Sequence, residues 1–238
     1  MRKKNNRGAV RLAIITGLLL IAAVFISAGR SHPNRVLNVE YIEIDLRGKE
    51  IRPVVFRSGA LFSSVIEQYH PYAAINGTYY DGEFRPLGDI LVGGKLENHG
   101  HYRNAVAHTN DGKLIFLHKE KGRLNWNNCQ SGIAAGPRLI HNGKIALDPV
   151  SDGFSRRSLT IEALRSGVGR TRSGKLLLVT SKEQMTLAAF AQSMLDLGAV
   201  EAMNLDGGGA SGLYFNGKTL MSPTLPMTNM LLVLKNQH

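Results

Sequence analysis

The chain has 238 residues, with 29 Lys and Arg against 18 Asp and Glu, one cysteine, and a mean hydropathy of −0.10. That length suits one large domain, and a lone cysteine excludes both an internal disulfide and a cysteine-rich metal knuckle. Five of the cations precede residue 12, and without them the basic surplus falls to six; such a balance suits an anionic ligand or envelope surface and, with no Lys/Arg run interleaved with aromatics, excludes nucleic acid as an expected partner.

Arg2, Lys3, Lys4, Arg7 and Arg11 are followed by an apolar run of 17 residues, Leu12 to Ala28, broken only by Thr16, Gly17 and Ser27. A basic segment before an apolar one is the arrangement of an export signal. The run lies at about the lower limit for spanning a bilayer. A signal peptide cleaved near Ala28 and a retained anchor helix over 12–28 both fit, and the bulk of Ile26 at the −3 position favours retention, hence contact with the membrane. Either way, the positive-inside bias places the chain beyond about Ser31 outside the cytoplasm, in a periplasmic or other extracytoplasmic space. The expected organisation is a signal or anchor over 1–30, a linker over 31–38 containing Pro33, and one domain over 39–238.

Val39 to Leu46 alternates apolar and polar residues, the period of a half-buried strand. Ser58 is placed to cap a helix that runs to about Tyr69 and is ended by Pro71. From there to about Thr180, short apolar runs are separated by Asn76-Gly77, Asp81-Gly82, Gly93-Gly94, Asp111-Gly112 and Asn142-Gly143. Such pairs supply the positive φ of tight hairpins, which predicts a strand-rich, largely antiparallel body. Thr186 to Leu197 carries Leu187, Phe190, Ala191, Met194 and Leu195 on one helical face, with Gly198 as its stop. Ala202 to Leu205, Gly212 to Phe215 and Met230 to Leu234 complete the expected strands. The fold class is α+β, with mixed but largely antiparallel sheets and few packed helices.

Gly212 to Thr219 fits the phosphate-loop pattern letter for letter, but that loop needs a helix after it. Asn216-Gly217 is a hairpin turn, and Pro223 and Pro226 forbid the helix, so nucleotide binding is rejected. Asp206 followed by Gly207, Gly208 and Gly209 is a stronger feature. A carboxylate at the end of a buried strand, then backbone without side chains, lets a ligand lie against N–H groups in an anion-binding nest. As a mere turn, three consecutive glycines carry a high entropic cost. Arg138 after Gly136-Pro137 and Arg165 beside Ser166 are candidate anion ligands. Asn76 to Asp89 adds an amide, the Arg85 guanidinium, the Asp89 carboxylate and the rings of Tyr79 and Tyr80, whose faces suit stacking on sugars. His99, His101 and His108 lack acidic or cysteine partners at a ligand spacing, and Cys129 reads as an inert thiol. No cofactor is expected. A hard cation, Ca²⁺ or Mg²⁺, on Asp206 and backbone carbonyls is compatible with the residues, although no loop pattern demands it.

Together, Asn76-Gly77-Thr78-Tyr79-Tyr80 with Arg85-Pro86-Leu87-Gly88, Ala135-Gly136-Pro137-Arg138-Leu139, Arg165-Ser166-Gly167-Val168-Gly169 and Asn204-Leu205-Asp206-Gly207-Gly208-Gly209-Ala210-Ser211 resemble the phosphodiester glycosidase domain family, in its order, over about Val39 to Leu234. Thr78, Asp89 and Ala210 depart from the family's usual residues. The resemblance implies an exported hydrolase that releases a sugar from a glycosyl 1-phosphodiester, with an envelope or extracellular glycan as substrate. It implies Asp206 as the reacting carboxylate, Asp89 as an alternative second one, and Arg138, Arg165 and Arg85 as phosphate ligands. Asn76 would bind sugar hydroxyls, with the N–H groups of Gly207, Gly208 and Gly209, Ser166 and Ser211 beside the anion. Two rival readings use the same cleft: a non-catalytic glycan-binding or polysaccharide-assembly module, and a phosphodiesterase that releases sugar 1-phosphate.

Overall fold

The alternating and doubly apolar segments resolve into three antiparallel sheets in the computed structural model, which describes residues 38–236. The signal or anchor segment and the linker up to residue 37 lie outside the described residues. The first sheet has the order β1 (Val39–Ile44), β12 (Leu176–Ser181), β11 (Ser166–Thr171), β13 (Ala199–Asn204), β9 (Arg138–His141), β10 (Lys144–Ile145). The second is β15 (Lys218–Met221), β14 (Leu213–Phe215), β3 (Ala73–Asn76), β16 (Met227–Lys235), β2 (Lys49–Ala60). The third is β5 (Lys95–Asn98), β4 (Ile90–Val92), β8 (Cys129–Ala135), β6 (Asn104–Thr109), β7 (Leu114–His118). Two helices, α1 (Phe62–Tyr69) and α2 (Leu187–Asp196), complete an α+β fold.

Period-two geometry sends successive side chains to opposite faces, and here both faces of the central strands are covered. On β12, Leu176 and Leu178 enter a core shared by all three sheets, whereas Leu177 and Val179 pack with Phe190 and Met194 of α2. On β16, Leu231 and Val233 join the shared core, and Met230 and Leu232 pack with Phe62 and Val65 of α1. Burial on both faces explains why these strands read as continuous apolar runs rather than alternations. The third sheet covers its outer face with Leu124 and Trp126 from the loop before β8.

The hairpin pairs behave mostly as their chemistry dictates. Gly93-Gly94, Asn142-Gly143 and Asn216-Gly217 all have positive φ. The last of these joins β14 to β15, so the phosphate-loop lookalike is a β-hairpin. Two expectations are corrected. Ser58 lies inside β2, in the irregularity between the Val55 and Ala60 pairings with β16, and α1 starts four residues later behind Leu61, without a side-chain cap. Asn76-Gly77 is no turn: Asn76 ends β3, and its amide is used elsewhere, as described below. At the second helix the expectation holds, with Thr186 Oγ1 accepting the Ala189 N–H at 3.2 Å. Among the described residues, no helix is long and apolar enough to cross a membrane.

Candidate functional site

Three segments carry the chain from sheet to sheet at one pole of the molecule. Residues 77–89 lead from β3 in the second sheet to β4 in the third, Gly136-Pro137 from β8 in the third to β9 in the first, and residues 205–212 from β13 in the first to β14 in the second. A strand leaving its sheet must find new partners for its backbone groups. Here the crossovers find them on each other. Asp206 N–H donates to Gly77 O at 3.0 Å, Asn204 N–H to Pro137 O at 3.0 Å, and Tyr79 Oη to Gly136 O at 2.8 Å. The Asn76 amide spans the ends of one crossover, donating from Nδ2 to Asp206 O at 2.7 Å while Oδ1 accepts the Gly212 N–H at 3.1 Å. Asn229 braces another: its Oδ1 accepts the Thr78 N–H at 2.6 Å, and its Nδ2 donates to Thr78 O at 3.0 Å.

Asp206 emerges at the centre of this lattice, partly exposed, with one oxygen accepting the Gly207 N–H at 2.8 Å. Burial pushes its carboxyl up to about 6, against the downward pull of that single N–H. Burial first, and the Asp206 charge second, also hold the phenols of Tyr79, Tyr80 and Tyr102 neutral by raising their values. Asp206 and three hydroxyl-bearing rings therefore share one electrostatic neighbourhood. Tyr79 is fixed by accepting from Asn204 Nδ2 at 2.6 Å. Its ring lies 5.5 Å from Tyr102 and 5.7 Å from Phe154, and Tyr102 stacks on Phe154 at 4.9 Å with planes 6° apart. These three rings form an apolar wall suited to the C–H face of a sugar.

Arg165 is the cation of the site. Leu164 and Ser166, on either side of it, accept the N–H groups of Gly208 and Leu205, so the two segments run side by side. The residue is 8% exposed and its guanidinium is held by backbone carbonyls: Nε donates to Met185 O at 2.9 Å, and a terminal nitrogen donates to Ile161 O. Burial lowers its pKa, and it lies close enough to Tyr79 for each to favour the other's charged form. An Arg stays charged under such a shift.

The other expected residues divide differently. Asn76 is buried with its amide spent on the crossover, so it positions Asp206 rather than meeting a sugar. Asp89 is buried, one oxygen accepting the Gly100 N–H at 2.7 Å and the other the Trp126 Nε1–H at 2.9 Å, which makes it a brace of the third sheet and not a second reacting carboxylate. Arg85 is exposed and paired with Asp81 and Glu83 at 2.8 and 2.9 Å. Arg138 stands opposite Met203, whose side chain is in the shared core, so it faces inward; its buried Nε has no hydrogen-bond partner among the described residues, and its charge opposes protonation of His118. The hydroxyls of Ser166 and Ser211 are buried. Within the glycine run, the Gly207 N–H serves Asp206 and the Gly208 N–H serves Leu164 O. His99, His101 and His108 do not converge, and among the described residues no three His, Cys, Asp or Glu side chains gather to hold a metal.

Sequence reasoning missed Tyr102, Phe154 and Asn229, and gave Asn204 no role of its own within its motif. Tyr102 and Phe154 come from loops remote in sequence, and only the sheet-to-sheet crossings bring them to Tyr79.

The comparisons with known proteins agree with this architecture. The family model described as phosphodiester glycosidase matches residues 69–234. N-acetylglucosamine-1-phosphodiester alpha-N-acetylglucosaminidase of Bos taurus is 27% identical over 156 residues, covering 58% of this chain and 30% of that protein. The chain thus spans less than a third of the length of that relative. Among solved structures, the zebrafish catalytic domain of the same enzyme, auto-inhibited by its pro-peptide, superposes with a TM-score of 0.67 at 20% identity, covering 85% of each chain. A hypothetical protein from Synechocystis gives a TM-score of 0.70 at 19% identity, over 82% of this chain and 58% of that one. At those identities the structural likeness establishes the fold.

Proposed function

The chain belongs to the phosphodiester glycosidase family, and from that premise we propose that it hydrolyses the anomeric bond of a glycosyl 1-phosphodiester, yielding free sugar and a phosphomonoester, with Asp206 as the reacting carboxylate. The observation that carries this reading is the desolvated Asp206, raised to about 6, beside the carbonyl-held Arg165 and a wall of three rings. A phosphomonoester is a good leaving group, so no acid need protonate it, and one carboxylate suffices where most glycosidases use a pair. Asp206 acts in its ionised form, supporting positive charge at the anomeric carbon and receiving the proton of the attacking water. Its partial desolvation makes it a stronger base than a carboxylate in water.

Arg165 and the Gly209 N–H face the phosphate, where negative charge grows as the bond breaks; both are fixed in advance, so stabilisation costs little reorganisation. Tyr102 and Phe154 hold the apolar face of the sugar. The substrate we favour is a glycan outside the cytoplasm, in keeping with the export-type leader of residues 1–28. The test is turnover of a glycosyl 1-phosphodiester panel, UDP-N-acetylglucosamine included, by the full chain. Free reducing sugar is expected, falling about a thousandfold in Asp206→Asn; release of sugar 1-phosphate, or undiminished turnover by the variant, would refute the assignment.

A further inference from the structure

The pole opposite Asp206 holds a second feature, built from the same inward-facing rows of side chains. On β11 the inward row runs Ser166, Val168, Arg170, and on β6 it runs Asn104, Val106, His108; Val168 and Val106 both belong to the shared core. Each row therefore turns from apolar to basic as it reaches the far end. There the sheets part around a basin of about 1840 Å³, onto which Arg170, His108, Tyr72, Lys49, Lys235 and Glu201 all open.

The polar groups of this basin are incompletely served. His108 is 6% exposed, and its Nδ1 has no hydrogen-bond partner among the described residues. The buried Nε of Arg170 is in the same condition. Glu201 stands directly opposite Arg170 in the ladder, but its carboxylate accepts from His141 Nδ1 and Asn142 N–H, each at 3.1 Å, and Arg170 makes no ion pair among the described residues. At the mouth, the ammonium groups of Lys49 and Lys235 lie 5.1 and 5.5 Å from the centre of the Tyr72 ring. Buried polar atoms without partners are rare in folded proteins because each forfeits a hydrogen bond to water. An anionic group in the basin would answer the positive charge of Arg170, which makes no ion pair among the described residues, and of Lys49 and Lys235 at the mouth, and the volume exceeds what a bare ion fills.

We propose that this basin is a second binding site, distinct from the Asp206 site, for a saccharide bearing a phosphate or carboxylate group, with Arg170 and His108 on the anion and Lys49 and Lys235 at the rim. The site accounts for two inward basic residues that each follow a core valine, Val168 and Val106, in their rows. It does not depend on the hydrolytic reading, since a binding module would use it equally.

Calorimetric titration of the full chain with glucose 6-phosphate, glucuronate and neutral glucose tests it. Saturable binding of at least one of the charged sugars, with glucose much weaker, is expected, and the tighter of the two identifies the anion. Arg170→Gln should weaken that binding about tenfold or more, as expected for a lost hydrogen bond to a charged group. Lys235→Ala, at the exposed rim, should weaken it by less, and Asp206→Asn should leave it intact. Because Arg170 is partly enclosed, its variant is read beside its thermal unfolding profile, while Lys235→Ala serves where folding is not at stake. Equal affinity for glucose, no saturable binding, unchanged binding in both basic variants, or loss of binding in Asp206→Asn would overturn the proposal.

Discussion

At the scale of single residues, the three glycines after Asp206 have three separate surroundings. A Cβ on Gly207 would press on Leu164 O at 2.5 Å, Gly208 takes φ 60° over open space, and a Cβ on Gly209 would meet Leu225 at 2.8 Å. The middle one is required by conformation and the first by close approach to backbone, whereas at Gly209 the neighbours are side chains that can shift. Asp206 itself is a liability to the fold. Its pKa is raised from 3.8 to about 6, so the folded state holds the proton more tightly than the unfolded one. The Asp206 contribution to stability is therefore most favourable below about pH 4 and is lost as pH rises through about 6, by at most about 3 kcal/mol. Asp206→Asn removes the titration while keeping an acceptor for the Gly207 N–H. Urea unfolding should show the variant matching the wild type near pH 4 and exceeding it near pH 8; an advantage that is the same at both values would contradict this. The same group sets the activity profile, so kcat/KM should rise with pH through about 6, because the ionised form is the working one. Arg165→Lys should lower kcat/KM by about tenfold, since an ammonium cannot fork between Met185 O and Ile161 O and still face the phosphate.

At the scale of elements, the site is a product of three crossovers meeting at one pole. Asn76 ties that arrangement together with two hydrogen bonds across 130 and 136 residues of sequence. Asn76→Ala leaves Asp206 O and the Gly212 N–H without it, and the expected cost is roughly 2–3 kcal/mol of stability together with a fall in kcat larger than any change in KM. A variant that unfolds at the wild-type urea midpoint would show that the crossover is held by other means. The sequence made the doubly buried strands and α2 legible, because continuous apolar runs and a capped 3.6-residue stripe have few other interpretations. Asn76-Gly77 misled, since the same dipeptide that favours a turn also offers an amide for long-range bonding and a residue without a Cβ beside Asn229. Asp89 misled for a related reason. A motif shows that side chains are near the site in sequence, but the face of a strand or the partner of a carboxylate is set by the sheet opposite.

At the scale of the whole molecule, one core joins all three sheets, so no sheet can open alone without exposing the other two. Trp126 is the single tryptophan and packs on the third sheet, whereas Leu178 lies in the first. Leu178→Ala should cost about 2–5 kcal/mol, and the loss should appear equally in Trp126 fluorescence and in far-ultraviolet circular dichroism. Midpoints that separate would mean that the sheets unfold independently. The shared core also fixes the distance between the poles, keeping Asp206 and the Arg170 basin on opposite ends of the same inward rows.

The central claim is that water attacks the anomeric carbon, with Asp206 as its base, and leaves the phosphorus untouched. Turnover in ¹⁸O-labelled water tests it most directly, by locating the label through mass spectrometry of both products. The account predicts ¹⁸O in the hydroxyl of the free reducing sugar and none in the phosphomonoester; label in a phosphate oxygen would contradict it.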